Sequence, residues 1–131
     1  YLFDGYTKDT AVMKQRTSTP QAGYSSDGSS FLTNTSDLAL TSYKILSVVS
    51  DNVASSASNN TSVQVNNNTA IIGSTADSAL AGFTIGAGGD VVSAFSNIRV
   101  AEAIIFPVKH SSTERTTVRN YLSRKYFNTT Y

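Results

Sequence analysis

Few side chains in this 131-residue sequence are equipped for chemistry. There is no cysteine, and His110 is the single histidine. Thiolate nucleophiles, thiolate metal sites and disulfides are thereby excluded, a multi-histidine zinc site is ruled out, and a Ser-His-Asp triad has one candidate base. His110 stands just before Ser111-Ser112-Thr113-Glu114, whose S-x-x-E spacing is that of a helix capping box. It therefore reads as a surface imidazole beside a cap rather than as a catalytic base. The two glutamates are Glu102 and Glu114, and the cap already uses the second. Glycoside hydrolysis needs two carboxyl groups flanking the scissile bond, ~5 Å or ~6.5 to 9.5 Å apart. No such closely spaced pair occurs, so the chain is expected not to be an enzyme.

Composition points the same way. Serine, threonine and asparagine number 20, 16 and 10, about 35% of the residues, against 15% charged and 40% hydrophobic. That mixture suits an all-β extracellular or virion surface protein better than a helical cytoplasmic enzyme. The net charge of +1 gives no overall field for capturing nucleic acid or an anionic membrane. No apolar run approaches the ~20 residues that span a bilayer as a helix. The length fits one domain, residues 1–131.

The elements that must position any site follow from hydrophobic period. Tyr43 to Val49 is apolar and β-branched on both faces, which predicts a central strand covered on two sides. Ser62 to Asn66 alternates, Asn67-Asn68 turns the chain, and Ala70-Ile71-Ile72 returns before Gly73, which predicts a hairpin. Phe83-Thr84-Ile85 is a strand closed by Gly86-Ala87-Gly88-Gly89. Ile98 to Phe106 is the strongest strand candidate, ended by Pro107. Thr17 to Asn34 and Ser50 to Thr61 read as solvated inter-strand loops. A sandwich or barrel is the default for such a series.

A closing helix at about 112–126 ends the chain. Val118, Tyr121, Leu122 and Tyr126 fall at i, i+3, i+4 and i+8, a face predicted to dock on the sandwich. Arg115, Arg119, Arg124 and Lys125 lie opposite, with Glu114 as the one acid; with no aromatics interleaved, they read as a solvated face. Glu102 shares strand parity with Ile98, Val100, Ile104 and Phe106, so it needs backbone amides or a nearby Arg or Lys as partner.

Taken in order, these pieces resemble the concanavalin A-like lectin/laminin-G superfamily. Val63-Gln64-Val65-Asn66-Asn67 is similar to its V-x-V-N-G hairpin, and Phe83 to Ala87 to its L-x-I-G strand. Phe95 to Phe106 is similar to F-x-G-x-I-A-E-V-I-I-Y, and Ser112 to Tyr126 to the S-x-x-E-R…Y-L-x-x-K-Y helix of phage and bacterial members. Tyr1 to Phe31 matches more loosely, through Phe3-Asp4-Gly5-Tyr6, and Asn67 replaces the usual hairpin glycine. The resemblance implies an all-β, concanavalin A-like jelly-roll sandwich with a short C-terminal helix and with the family's N-terminal strands missing. It also implies a virion surface module of a phage fibre, spike or capsid decoration, with a secreted bacterial glycan-binding domain as the alternative. The E-x-D-x-E acids of glycosidases on this fold have no counterpart here. Calcium, which several such lectins hold, would fall to Asp90 with Asp51-Asn52; no cofactor is the simpler expectation, since no dense D-x-D loop occurs.

Carbohydrate binding needs a stacking aromatic and planar amides in a shallow groove. Tyr6 and Tyr24 lie in or beside candidate loops, and Asn52, Asn67 and Asn68 offer amides; Tyr43, at a strand start, reads first as a core aromatic. The expected partners are a host-surface polysaccharide and further virion chains, with no nucleic acid and no membrane insertion; a purely structural assembly domain competes with sugar recognition. Because Tyr1-Leu2-Phe3-Asp4 reads as the interior of a strand, an empty position beside it is expected, filled by an upstream segment or by a neighbouring copy in a homo-oligomer.

Overall fold

A computed structural model describes residues 2–5, 12–15, 22–25, 31–34, 42–51, 61–75, 82–90, 92 and 95–131, with 12–15, 22, 25 and 34 described by backbone alone. Their strands are β1 (Phe3–Asp4), β2 (Val12–Gln15), β3 (Ala22–Ser25), β4 (Leu32–Asn34), β5 (Leu46–Ser50), β6 (Thr61–Val65), β7 (Ile71–Gly73) and β8 (Thr84–Ile85), followed by helix α1 (Ser112–Phe127). The order β4-β3-β2-β1-β8 makes one sheet and β5-β6-β7 a second. Every pairing is antiparallel. Among the described residues the regular elements are thus mostly strands, in small antiparallel sheets, with one short C-terminal helix.

The two sheets share one apolar cluster. In the first, the register sets Ile85, Phe3, Met13, Tyr24 and Leu32 in a single row. Phe3 packs on Tyr24 and Phe83 with ring centroids 6.4 and 5.1 Å apart. From the second sheet, Val63 and Val65 are fully buried beside Tyr24, and Leu2, Phe3, Leu32, Leu46 and Val48 close around them. Gly73 permits the approach of β4 to β7: a Cβ there would stand 2.7 Å from Leu32 Cδ1.

The predicted hairpin forms, with Val63 paired to Ile71 and Ser62 to Ile72. Its turn sits one residue earlier than expected, since Asn66, not Asn67 or Asn68, carries the positive φ of 51°. Asn66 also pins β5: its N–H donates to Ile45 O at 2.8 Å, and its Oδ1 accepts from Ile45 N at 3.0 Å. A short polar side chain that tolerates the left-handed region explains the choice of residue.

Several expectations change. Among the described residues β5 is an edge strand rather than a central one, and β6, with alternate positions buried, takes the middle. The stretch read as loop contains β3 and β4, whose four and three residues carry too few apolar side chains to announce themselves. β1 lies between β2 and β8, so the position expected to be empty beside Phe3 is filled from within the chain. Tyr43 is 55% exposed instead of buried.

The largest difference lies at Ile98–Phe106, which forms no ladder. Among the described residues, 97–108 make no backbone–backbone hydrogen bond, and Ala101 bends the chain. Phe95, Val100, Ile104, Ile105, Phe106 and Val108 stay exposed. β-propensity is expressed only against a neighbouring strand, and no described strand runs beside this strap. The helix differs too: it begins and ends almost as expected, yet has no extended interface with any strand among the described residues. Val118 and Leu122 are half-buried and Tyr121 and Tyr126 exposed, while the buried positions are Arg119 and Ser123. Tyrosine hydroxyls need polar partners, and these two find them on the strap.

Candidate binding groove on the closing helix

Local chemistry fixes the phase of α1. Ser111 is the N-cap: its Oγ accepts from Glu114 N at 3.3 Å, and Glu114 Oε2 accepts from Ser111 N at 2.8 Å, the reciprocal capping box. The Ser111 hydroxyl, which donates to Glu114 Oε2 at 2.7 Å, and then the Ser111 N–H hold the Glu114 carboxyl below the usual carboxylate range. His110 packs its ring on Phe106, centroids 4.1 Å apart, and its carbonyl accepts from Arg115 Nη1 at 2.6 Å. At the far end Asn128 adopts φ 52°, the left-handed conformation that terminates helices. The tail then folds back: Arg124 Nε donates to Thr130 Oγ1 at 3.0 Å, and Tyr131 N donates to Asn120 Oδ1 at 3.0 Å.

With the phase set, Thr117, Asn120, Tyr121, Arg124 and Lys125 fall at i, i+3, i+4, i+7 and i+8 and line one open, shallow groove. Glu102 does not line it but reaches over from the strap to bond two of its residues, Tyr121 and Lys125. Lys125 Nζ donates to Tyr121 Oη at 2.8 Å and to Glu102 Oε2 at 3.1 Å, and lies 5.2 and 5.3 Å from the ring centroids of Tyr121 and Tyr126. Tyr126 Oη donates to Glu102 Oε2 at 3.0 Å, and Tyr121 Oη approaches Glu102 Oε1 at 3.4 Å. Glu102 thus finds the lysine that its place among apolar neighbours demanded.

The electrostatics follow from these contacts. The bond to Tyr121 and then that to Glu102 raise the Lys125 pKa, and Lys125 in turn holds Glu102 below the usual carboxylate range. Desolvation, followed by the Glu102 bond, raises the Tyr126 hydroxyl. A lysine held protonated is no nucleophile, and a glutamate held ionised is no acid. The cluster presents fixed, paired charges beside two tyrosine rings.

A pH dependence is expected from Glu102. Its folded pKa is depressed, so its contribution is present above the ordinary carboxylate range and is lost as pH falls through the depressed value. An acid titration followed by the Tyr121 and Tyr126 ring signals should show the strap releasing the helix in that window. Glu102→Gln should abolish the acid transition and lower stability modestly. A titration unchanged by the substitution would remove Glu102 from this role.

The residues expected at a rim do not come together here. Tyr24 is 4% exposed in the core, where burial raises its pKa and Ser50 bonds its hydroxyl, so it offers no ring face to a ligand. Asn67 is exposed at the hairpin tip and Asn68 is half-buried, its carbonyl accepting from Gln64 Nε2 at 2.7 Å. Tyr6 and Asn52 lie outside the described residues. Asp51 pairs with Lys109 at 2.9 Å, and Asp90 Oδ1 accepts from Val92 N at 3.2 Å. No group of three or more metal-binding side chains gathers among the described residues, and no described helix is long and apolar enough to cross a membrane. The groove residues went unrecognised because the cations read as a solvated face and Tyr121 as a docking side chain; in the structure Tyr121 lies beside Arg124 and Lys125. No family model, curated protein or solved structure matches this chain.

Proposed function

We propose that the chain is a non-enzymatic, lectin-like module, a concanavalin A-like jelly-roll sandwich of a virion surface protein that recognises host-surface glycan. The observation that carries this reading is the helix groove. A half-exposed tyrosine ring is flanked by a hydroxyl, an amide and a guanidinium in a shallow, open setting, which is the equipment a sugar site uses. Two antiparallel sheets around one core support the sandwich, and the Ser/Thr/Asn-rich, cysteine-free composition supports a fibre, spike or decoration on the virion, or else a secreted domain. The closed charges of Glu102 and Lys125 favour binding over hydrolysis.

A structural assembly role has its own observation, the exposed strap. Monomers seldom leave so many contiguous apolar side chains in water. Its occupant in this reading is a second copy of the chain. Ile98 and Phe106, Val100 and Ile104, and Ala101 and Ala103 are placed symmetrically about Glu102, so an antiparallel pair of straps would bring these apolar residues together once the bend at Ala101 straightens, against the cost of setting Glu102 opposite Glu102 and Arg99 opposite Ile105.

One paired experiment separates the readings. Purified protein on a glycan array, with its mass measured by light scattering over a concentration series, should give sugar hits of about millimolar affinity, typical of shallow sites. A dimer without hits leaves the assembly role alone. Neither hits nor a dimer would sink both readings.

A further inference from the structure

We propose that the helix groove takes a carboxylated sugar, of the uronate or sialate kind, and that Arg124 is the residue that reads the carboxylate. This inference rests on the glycan reading above and adds the class of ligand.

The charges around the groove are unequally occupied. Lys125 is neutralised by Glu102 and lies against two tyrosine rings. Glu114 is engaged in the capping box, and Asp51 pairs with Lys109. Arg124 uses only Nε, toward Thr130 Oγ1. Its Nη1 and Nη2 have no partner among the described residues, and no described acid faces them. A guanidinium with its fork unoccupied matches a carboxylate in bidentate geometry, which a lysine does not.

The neighbours say what else the ligand carries. Asn120 Oδ1 is occupied by Tyr131 N, which fixes the amide and leaves its NH2 to donate beside Arg124. Thr117 Oγ1 donates its hydrogen to Thr113 O at 3.1 Å, so toward a ligand it can only accept. The groove therefore asks for an anionic oxygen at the Arg124 end and a hydroxyl donor at the Thr117 end, a combination that a sugar acid has; sulfate lacks the hydroxyl, and inorganic phosphate, although it carries one, is too small to reach both ends. Between them the 47%-exposed Tyr121 ring, whose hydroxyl is occupied by Glu102 and Lys125, offers a face for the C–H side of a pyranose. Seven residues of helix separate the two ends, roughly 10 Å, the length of a disaccharide.

The wider field agrees. Residues 98–131 hold six of the ten basic and two of the nine acidic side chains, so this end of the chain attracts anions although the whole is nearly neutral. A nucleic acid is a poorer fit: it needs several unneutralised cations along a strand and repeated stacking rings, whereas the groove has one of each.

The test uses the full chain and paired probes: tetragalacturonate and tetramannuronate against their methyl esters, sialyllactose against lactose, and a single-stranded oligonucleotide, each titrated by NMR. At least one acid should bind about tenfold more tightly than its neutral partner, with shifts centred on Asn120, Tyr121 and Arg124. Arg124→Gln should erase that preference and Arg124→Lys restore part of it, with helical circular dichroism unchanged in both. Equal binding of acids and neutral partners would overturn this inference and leave the glycan reading standing. An oligonucleotide bound more tightly than every sugar, or no sugar bound at all, would overturn both.

Discussion

Val63→Asp is expected to abolish the cooperative urea transition, whereas Ile72→Asp, one strand away, should change stability by less than about 1 kcal/mol. Val63 is fully buried between Tyr24 and Val65, with Leu2, Phe3, Leu32, Leu46 and Val48 around them. A carboxylate placed there loses its water and meets no cation in the cluster, a cost above ~4 kcal/mol against a total stability of roughly 5 to 15 kcal/mol for a domain. Ile72 pairs with Ser62 on the opposite face and is 59% exposed, so its carboxylate would stay hydrated. Because side chains alternate along a strand, a register shifted by one residue would exchange the two outcomes. The pair therefore measures the register of β6 and β7, and similar losses from both substitutions would contradict it.

The same residues show which parts of the fold are readable from sequence. The β6–β7 hairpin is legible because the alternation of Val63 and Val65 and the asparagine turn are local signals that agree. The capping box is legible for the same reason: Ser111 and Glu114 satisfy each other within four residues. β2, β3 and β4 are not, because Ala22-Gly23-Tyr24-Ser25 and Leu32-Thr33-Asn34 are short and carry single large apolar side chains. Their strand state comes from pairing with one another, which the propensity of such short segments does not encode. Ile98–Phe106 errs in the other direction, with high propensity and no ladder.

The groove was hidden for a related reason. Helical period says that Val118, Tyr121, Leu122 and Tyr126 share a side, but not what covers it. The strap delivers Glu102 to Tyr121, Tyr126 and Lys125, and this turns a docking face into the wall of a polar groove. The tyrosines at loop positions had no comparable restraint in the sequence. Tyr24, flanked by glycine and serines, looks like a loop residue, yet the register β2-β3-β4 carries it into the core.

Asp4→Ala should cost about 2 to 4 kcal/mol, the largest loss expected from any single polar side chain described here. Asp4 is fully buried on the two-residue strand β1, opposite Thr84. Its Oδ1 accepts from Gly5 N at 2.8 Å and its Oδ2 from Gly89 N at 2.9 Å, tying the start of the chain to a loop 85 residues away. That loop is otherwise held through Gly86, whose φ of 76° turns the chain after β8, whose N–H donates to Leu2 O at 3.1 Å and whose carbonyl accepts from Ser96 N at 2.7 Å. Ala87 and Gly88 are buried within it, so water cannot easily replace the lost carboxylate. Alanine would leave two inward amides short of an acceptor. Asp4→Asn keeps one acceptor oxygen and sets an NH2 against the other N–H, so it should lose roughly half as much. Urea titrations of the three proteins should share one slope and fall in midpoint in the order Asp, Asn, Ala. If Asp4→Ala moved the stability by less than ~0.5 kcal/mol, the loop would be held by Gly86 and Leu2 alone, and β1 would owe its place to Phe3 and not to the carboxylate beside it.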